Sequence, residues 1–348
     1  MQLKKMKVCF KEIMNFLFIS KILGKIKRRL WAIVVSKFRF KSYYPKIYKS
    51  FWHSLFNIHN FKEKFINYYS ARPNPGAGIG HQMANWIAGY WFANQFGLKY
   101  AHSGFSTPTW DSFLGFGENE ITIDELIKCG YKKVKLPLFD EFNHSELELQ
   151  KKIIASYSNF KVVFVAEQDQ GYKNQFGVME TLKQKFFNAP FRVNDRLLFD
   201  RKFMNIAIHV RRGDIAIGKD DNPDFSLRWQ KNEYFINVLR NVLETIKSEK
   251  QIAIYLFSQG NVENFAEFNQ FENLHYCLDM NAMSSFLHMG YADVLITSKS
   301  SFSYKPALLN KGIKICPKDF WHGYPESGDW VLADHTGELL NELHFHNE

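Results

Sequence analysis

The stretch Ile206-Ala207-Ile208-His209-Val210-Arg211-Arg212-Gly213-Asp214 decides the fold class. Its apolar, β-branched first half reads as a buried strand, and it stops at two adjacent arginines followed by Gly-Asp. Ligands of open α/β sheets bind just beyond the carboxyl ends of strands. Guanidinium groups placed there offer planar forks of donors that fit phosphate oxygens. The stretch therefore reads as a diphosphate site, with ordinary surface ion pairs as the alternative. His209 and Arg211, two residues apart, are expected on one face of the strand and Arg212 on the other.

Apolar runs of five to seven residues alternate with helical patterns from residue 203 onward. Strands are expected at 204–210, 252–257, 273–277, 293–297 and 312–316, and helices at 232–248, 261–269, 281–290 and 302–310. That alternation predicts a parallel sheet covered on both faces. Upstream, a strand at 65–69 runs into Arg72-Pro73-Asn74-Pro75-Gly76-Ala77-Gly78, which cannot continue a helix. A helix from His81 to Phe96, closed by Gly97, and a strand at 98–102 complete a β-α-β unit. The middle, 103–160, is less regular, with helices at 123–129 and around 146–154. A strand at 161–166 and a helix over 182–187 follow. The fold class is α/β, doubly wound.

HxRRxD at a strand end resembles the donor-binding motif of the superfamily of α-1,2-, α-1,6- and protein O-fucosyltransferases. Gly78-Ile79-Gly80-His81-Gln82-Met83 is similar to the Gly-x-Gly-Asn-Gln-Met segment of the α-1,2 family. Ala292 to Ser303, containing Ser298-Lys299-Ser300-Ser301-Phe302-Ser303, resembles its late strand–serine turn–helix segment. The likeness spans roughly residues 70–320 and is carried by these three stretches. It implies a GT-B-like arrangement of two Rossmann-like halves with a cleft between them, and an inverting, metal-independent enzyme that transfers fucose from GDP-fucose. The expected division is a basic aromatic extension at 1–64, an acceptor-side half at 65–190 and a donor-side half at 191–348.

The resemblance gives the residues roles. His209, Arg211, Arg212, Ser300, Ser301, Phe302, Ser258 and Asp293 form the donor site, and Gly78, Gly80, His81 and Gln82 the acceptor and cleft loop. Arg211, Asp214 and His81 are the candidate catalytic residues. The arginines would offset charge building on the leaving diphosphate, where fixed cations act most in the transition state. Asp214 would orient an arginine or take a proton from the acceptor hydroxyl, and the orienting role is expected, since a carboxylate beside guanidiniums is a weak base. Two departures stand out. The strand at 252–257 runs into Ser258-Gln259-Gly260, where the family has Ser-Asp-Asp, and His81 replaces an Asn. GDP specificity is therefore less secure than diphosphate binding, which leaves other nucleotide-diphosphate sugars open as donors. Asp293 is open between a structural role and service to the base.

Residue by residue, plainer readings stand beside these. The glycine loop lacks the third glycine of a dinucleotide fingerprint and the Gly-Lys-Ser/Thr of a Walker loop. It reads either as a helix start with free N–H groups or as a turn that needs positive φ. The serines suit phosphate at a helix start or plain N-capping. Phe302 is expected in the core. Adjacent Asp220-Asp221 lacks the spacing of a DxD metal motif, no HExxH occurs, and no metal cofactor is expected.

Charge is uneven along the 348 residues. Residues 1–70 hold 16 Lys and Arg against Glu12 and Glu63 alone, whereas the remainder carries 29 basic and 33 acidic residues. Neither apolar patch there, at 16–19 or 31–35, reaches the ~18–20 residues that span a bilayer. Interleaved rings and lysines from Phe38 to Trp52 suit an anionic membrane surface, with packing on the catalytic body as the alternative. A peripheral protein on the inner face of the cytoplasmic membrane is expected, with no nucleic-acid partner. The glycan acceptor is expected to be a surface polysaccharide or oligosaccharide, a β-galactoside above others. A noncatalytic glycan- or nucleotide-binding protein is the reading from another class. Cys277 and Cys316 are expected as buried free thiols and a disulfide framework is not.

Overall fold

A computed structural model of the chain describes residues 26, 29–31, 33–35, 37–56, 64–74, 76–166, 170–215, 223–246 and 248–343. The apolar patch at 16–19, the loop with Asp220-Asp221 and the tail with His344 and His346 lie outside them. The chain forms two compact units, one of residues 1–65 with 139–160, the other of 66–138 with 161–348.

In the first unit the helices Tyr44–Phe56 and His144–Ala155 carry the order. Tyr44 and Tyr48 are buried, and Trp31 stacks on Tyr44 with centroids 6.0 Å apart. Asn143 caps the second helix by accepting from the N–H groups of Ser145 and Glu146, and Arg39 reaches Glu146 at 2.5 Å. Among the described residues no helix is long and apolar enough to cross a membrane.

The second unit holds two wholly parallel sheets, which is the two-half α/β fold expected. One comprises β1 (Tyr68–Ala71), β2 (Lys99–Tyr100), β3 (Lys132–Lys135) and β4 (Val162–Ala166) in the order β2-β1-β4-β3. The other comprises β5 (Met204–His209), β6 (Ile252–Ser258), β7 (Leu274–Leu278), β8 (Val294–Ile296), β9 (Ile313–Pro317) and β10 (Trp330–Ala333). Its order is β10-β9-β8-β5-β6-β7, with Ile208 opposite both Leu256 and Ile296. From β5 the chain winds outward through β6 and β7, then returns to lay β8 on the other flank. The switch point therefore falls between β5 and β8, where α/β sheets bind their ligands. Sheet one switches likewise between β1 and β4, so the glycine loop after β1 leaves from the corresponding place.

Packing follows burial on both faces. Ile206, Ile208 and Val210 join Leu256, Val294, Ile296 and Ile315 with Phe235, Val238, Leu239 and Val242 of the helix Asn232–Thr245. Cys277 and Cys316 are buried free thiols, raised by burial to about 11 and about 12. One expected α-helix differs. Residues Val262–Gln270 form a 3₁₀ segment with a kink at Phe265, because Phe265 and Phe268, three apart, are both buried. Side chains at that spacing eclipse in the tighter helix.

Gly89 sets how closely the helix Ile79–Gln95 approaches β1, since a Cβ there would lie 2.5 Å from Ala71 Cβ. Gly89→Ala is expected to lower stability by about 1–3 kcal/mol through overpacking. Urea unfolding of the two proteins reads it, and an unchanged midpoint would contradict the packing described.

Candidate functional site

The three sequence stretches meet at the switch point. His209, at the last position of β5, is buried, and its Nδ1 lies 2.8 Å from Ser298 Oγ just beyond β8. Burial first, then Arg211 and Arg212, push its imidazole down to about 3, so the ring is neutral at physiological pH. Ser298 and Ser303 are linked in turn, the Ser298 N–H donating to Ser303 Oγ at 3.2 Å. Ser300 caps the helix Ser301–Leu309 by accepting from Phe302 N–H, which is the plainer of the two roles expected for it. Ser301 opens that helix, and Phe302 sets its ring 5.5 Å from His209, half-buried where a core position was expected.

The helix Ile79–Gln95 starts two residues earlier than the sequence suggests, with Gly78 as an extended N-cap that lacks a side-chain bond. Only Gly76 of the loop takes positive φ, +80°. Gly80 answers a different need, because a Cβ there would sit 2.7 Å from the carbonyl carbon and oxygen of Ser301. This contact places the first sheet's helix start against the serine turn of the second sheet. Gln82 is buried and fully engaged, donating to Ala77 O at 2.7 Å and Ser106 Oγ at 2.8 Å and accepting from Ser106 N–H at 2.9 Å. His81 is exposed, with Nε2 2.9 Å from Asn74 Nδ2.

The two arginines part company, as strand alternation predicts. Arg211 is a quarter exposed and pairs with Asp214 at 2.5 Å, the orienting arrangement expected of that carboxylate. Arg212 is 7% exposed and turns inward. Its guanidinium lies 4.1 Å from the Trp229 ring centroid and donates to Asn232 Oδ1 at 2.5 Å, and Asn232 donates on to Glu267. Burial lowers it to about 10, so it keeps its charge at neutral pH. Ser258 donates to Val210 O at 2.7 Å, which pins the end of β6 to β5.

Asp293 is not brought to this place. It precedes β8 and accepts from Asn205 N–H at 2.7 Å, at the amino ends of the strands. Of the two roles left open for it, the geometry displays the structural one. Among the described residues no group of three or more His, Cys, Asp or Glu side chains is disposed to hold a metal.

No protein-family model matches the chain, and no curated protein sequence matches it. Solved structures do match. Fucosyltransferase NodZ from Bradyrhizobium aligns at 10% identity and TM-score 0.42, over 70% of this chain and 92% of that one. NodZ α-1,6-fucosyltransferase co-crystallised with GDP aligns at 12% and 0.41, over 78% and 97%. POFUT1 in complex with GDP aligns at 11% and 0.42, over 71% and 96%. Likeness at this level carries no argument about chemistry, which rests on the side chains themselves.

Three residues beside the site escaped sequence reading. Lys305, one turn after Ser301, is wholly buried and donates to Gln175, and burial pushes its amine well below the usual lysine range. His322 is pushed down to about 2 by burial and by Lys305. Asp279 sits exposed at the carboxyl end of β7 with φ +53°, its N–H donating to Ser258 O at 3.0 Å. An Asp two residues before a helix pattern looks like an ordinary turn, and only the unusual φ marks it.

A buried neutral histidine makes the unfolded chain the better proton acceptor between the two pKa values. Folding stability contributed by His209 is therefore intact above about 6.5 and falls as pH drops toward 3. The urea midpoint of the wild type is expected to fall across that window more steeply than that of His209→Gln. Parallel profiles would show that the ring titrates freely.

Proposed function

We propose that the chain is an inverting glycosyltransferase that uses a nucleotide-diphosphate sugar, GDP-fucose by preference, and glycosylates a hydroxyl of a glycan. The observation that carries this reading is the His209–Ser298 bond across the β5/β8 switch point, with Arg211 at its mouth. In our reading Arg211 is the cation on the diphosphate and Arg212 the buried support behind it. The ion pair with Asp214 is solvent-accessible and therefore weak. A diphosphate can draw the guanidinium away, with Asp214 holding the other side of the fork.

The acceptor oxygen attacks the anomeric carbon on the face opposite the diphosphate. A new C–O bond forms while the bond to the leaving oxygen breaks, and that oxygen keeps the electron pair. Arg211 stabilises the charge that develops there. The acceptor's proton goes to a base, for which we propose His81, the exposed imidazole at the start of the adjoining helix. The α-1,2 linkage to a galactoside is the finer assignment, supported by the Gly-x-Gly-x-Gln-Met pattern at 78–83. Attachment of residues 1–64 to an anionic membrane surface belongs to the same proposal, supported by their charge.

A donor panel with free nucleotide measured tests the assignment. GDP release from GDP-fucose, dependent on acceptor, is expected from the wild type. Arg211→Ala is expected to lower kcat by about 10²–10³, and His81→Ala to lower kcat with donor affinity retained. Undiminished release by Arg211→Ala would remove the site assignment, and inactivity with every donor would favour a binding protein.

A further inference from the structure

On the side away from β8, the carboxyl rim of the second sheet runs from β5 along β6 and β7. Ser258 pairs with Leu278 at the ends of these two strands, and the Asp279 N–H extends the ladder to Ser258 O at 3.0 Å. Gln259 and Asp279 are therefore neighbours on the rim where α/β sheets meet their ligands. Paired strands lie about 4.8 Å apart, which sets Asp279 roughly 10 Å from the end of β5. A nucleotide whose diphosphate lies at Arg211 spans that interval with its ribose and base.

Both side chains are exposed, and among the described residues neither makes a hydrogen bond or an ion pair. Their placement is constrained all the same. A Cβ at Gly213 would overlap Gln259 Oε1, so the amide lies against the loop that carries Arg211, Arg212 and Asp214. Asp279 takes φ +53°, a left-handed conformation that few residues besides Gly, Asn and Asp adopt. Hydrogen-bonding chemistry then selects the ligand. The amide of Gln259 sets an acceptor beside a donor, whereas the carboxylate of Asp279 only accepts. Together they call for an edge that presents an acceptor, a donor and a second donor. Among the common nucleobases guanine alone has that edge, in O6, N1–H and the exocyclic amine. Adenine would leave the carboxylate facing a C–H, and uracil or cytosine would set a carbonyl oxygen against it.

We propose that Gln259 and Asp279 read the base of the bound nucleotide and select guanine, the amide meeting O6 and N1–H and the carboxylate the exocyclic amine. On the glycosyltransferase reading, on which this rests, the two residues decide which donor is accepted. Calorimetric titration of the full chain with GDP, IDP, ADP, UDP and inorganic pyrophosphate separates base from diphosphate. IDP differs from GDP only in lacking the exocyclic amine. The wild type is expected to bind GDP about tenfold more tightly than IDP, the effect of one hydrogen bond to a charged group, and ADP and UDP more weakly still. Asp279→Gly suits the left-handed backbone and is expected to bring GDP down to the affinity of IDP. Gln259→Met is expected to weaken GDP and IDP alike by about fivefold or more, with their ratio kept. Pyrophosphate affinity and melting temperature should match the wild type in both variants.

Equal affinity of the wild type for GDP and IDP overturns the base-reading pair, as does a GDP preference that survives in Asp279→Gly. Tighter binding of ADP or UDP than of GDP overturns it too. In these cases nucleotide binding that is lost with Arg211→Ala leaves the diphosphate site standing. A GDP preference abolished by Asp279→Gly, together with no transfer from any donor, keeps the pair and removes the transferase reading alone. Binding of neither nucleotide nor pyrophosphate removes both.

Discussion

The hydrogen bond between His209 and Ser298 is the constraint on which the site depends. It joins the ends of two strands that the winding order brings together from positions 89 apart in the chain. The imidazole in this bond is neutral, because burial, and then the charges of Arg211 and Arg212, disfavour the cation. Burial supplies that neutrality. Through Ser298 the constraint passes to Ser303, to the first turn of the helix Ser301–Leu309, and to Gly80 in the helix that follows β1. One pairing thus fixes the relative placement of three segments that are remote in sequence.

The adjacent arginines illustrate how exposure divides two like residues. Arg211 holds Asp214 in contact with water, where an ion pair contributes roughly 0–1 kcal/mol and exchanges readily. Arg212 is enclosed by Trp229, Phe265 and Asn232, and stripping a partner from a buried charge typically costs about 3–5 kcal/mol. A contact that exchanges readily thus stands beside one that is costly to remove.

Much of this was legible in the chain, and the omissions have physical causes. Strands β5, β6 and β9 are buried on both faces, so their composition alone declares them. Lys132–Lys135 gave no such signal, because an edge strand needs only Val134 inward while its lysines guard the open edge. Trp330–Ala333 at the opposite edge likewise followed a Pro- and Gly-rich run that reads as loop. The opposed directions of Arg211 and Arg212 followed from strand alternation. The depth of Arg212 did not, since it depends on how Trp229 and the helix start at Asn232 dock, which no local pattern dictates. Asp293 read as a site candidate because it flanks the serine segment, yet β8 is only three residues long and places its two ends on opposite rims of the sheet. Lys305 was hidden for a similar reason: a lysine in a short helix pattern looks solvated until remote segments, among them the one with Gln175, pack over it.

The clearance between Gly80 and the Ser301 backbone carries an implication for how such chains diverge. A methyl group at position 80 would wedge the seam apart whether or not any chemistry takes place nearby. Descendants would be held to glycine there by architecture, whereas nothing architectural would preserve Arg211. In a lineage of this protein, the glycine would trace ancestry and the arginine would trace use.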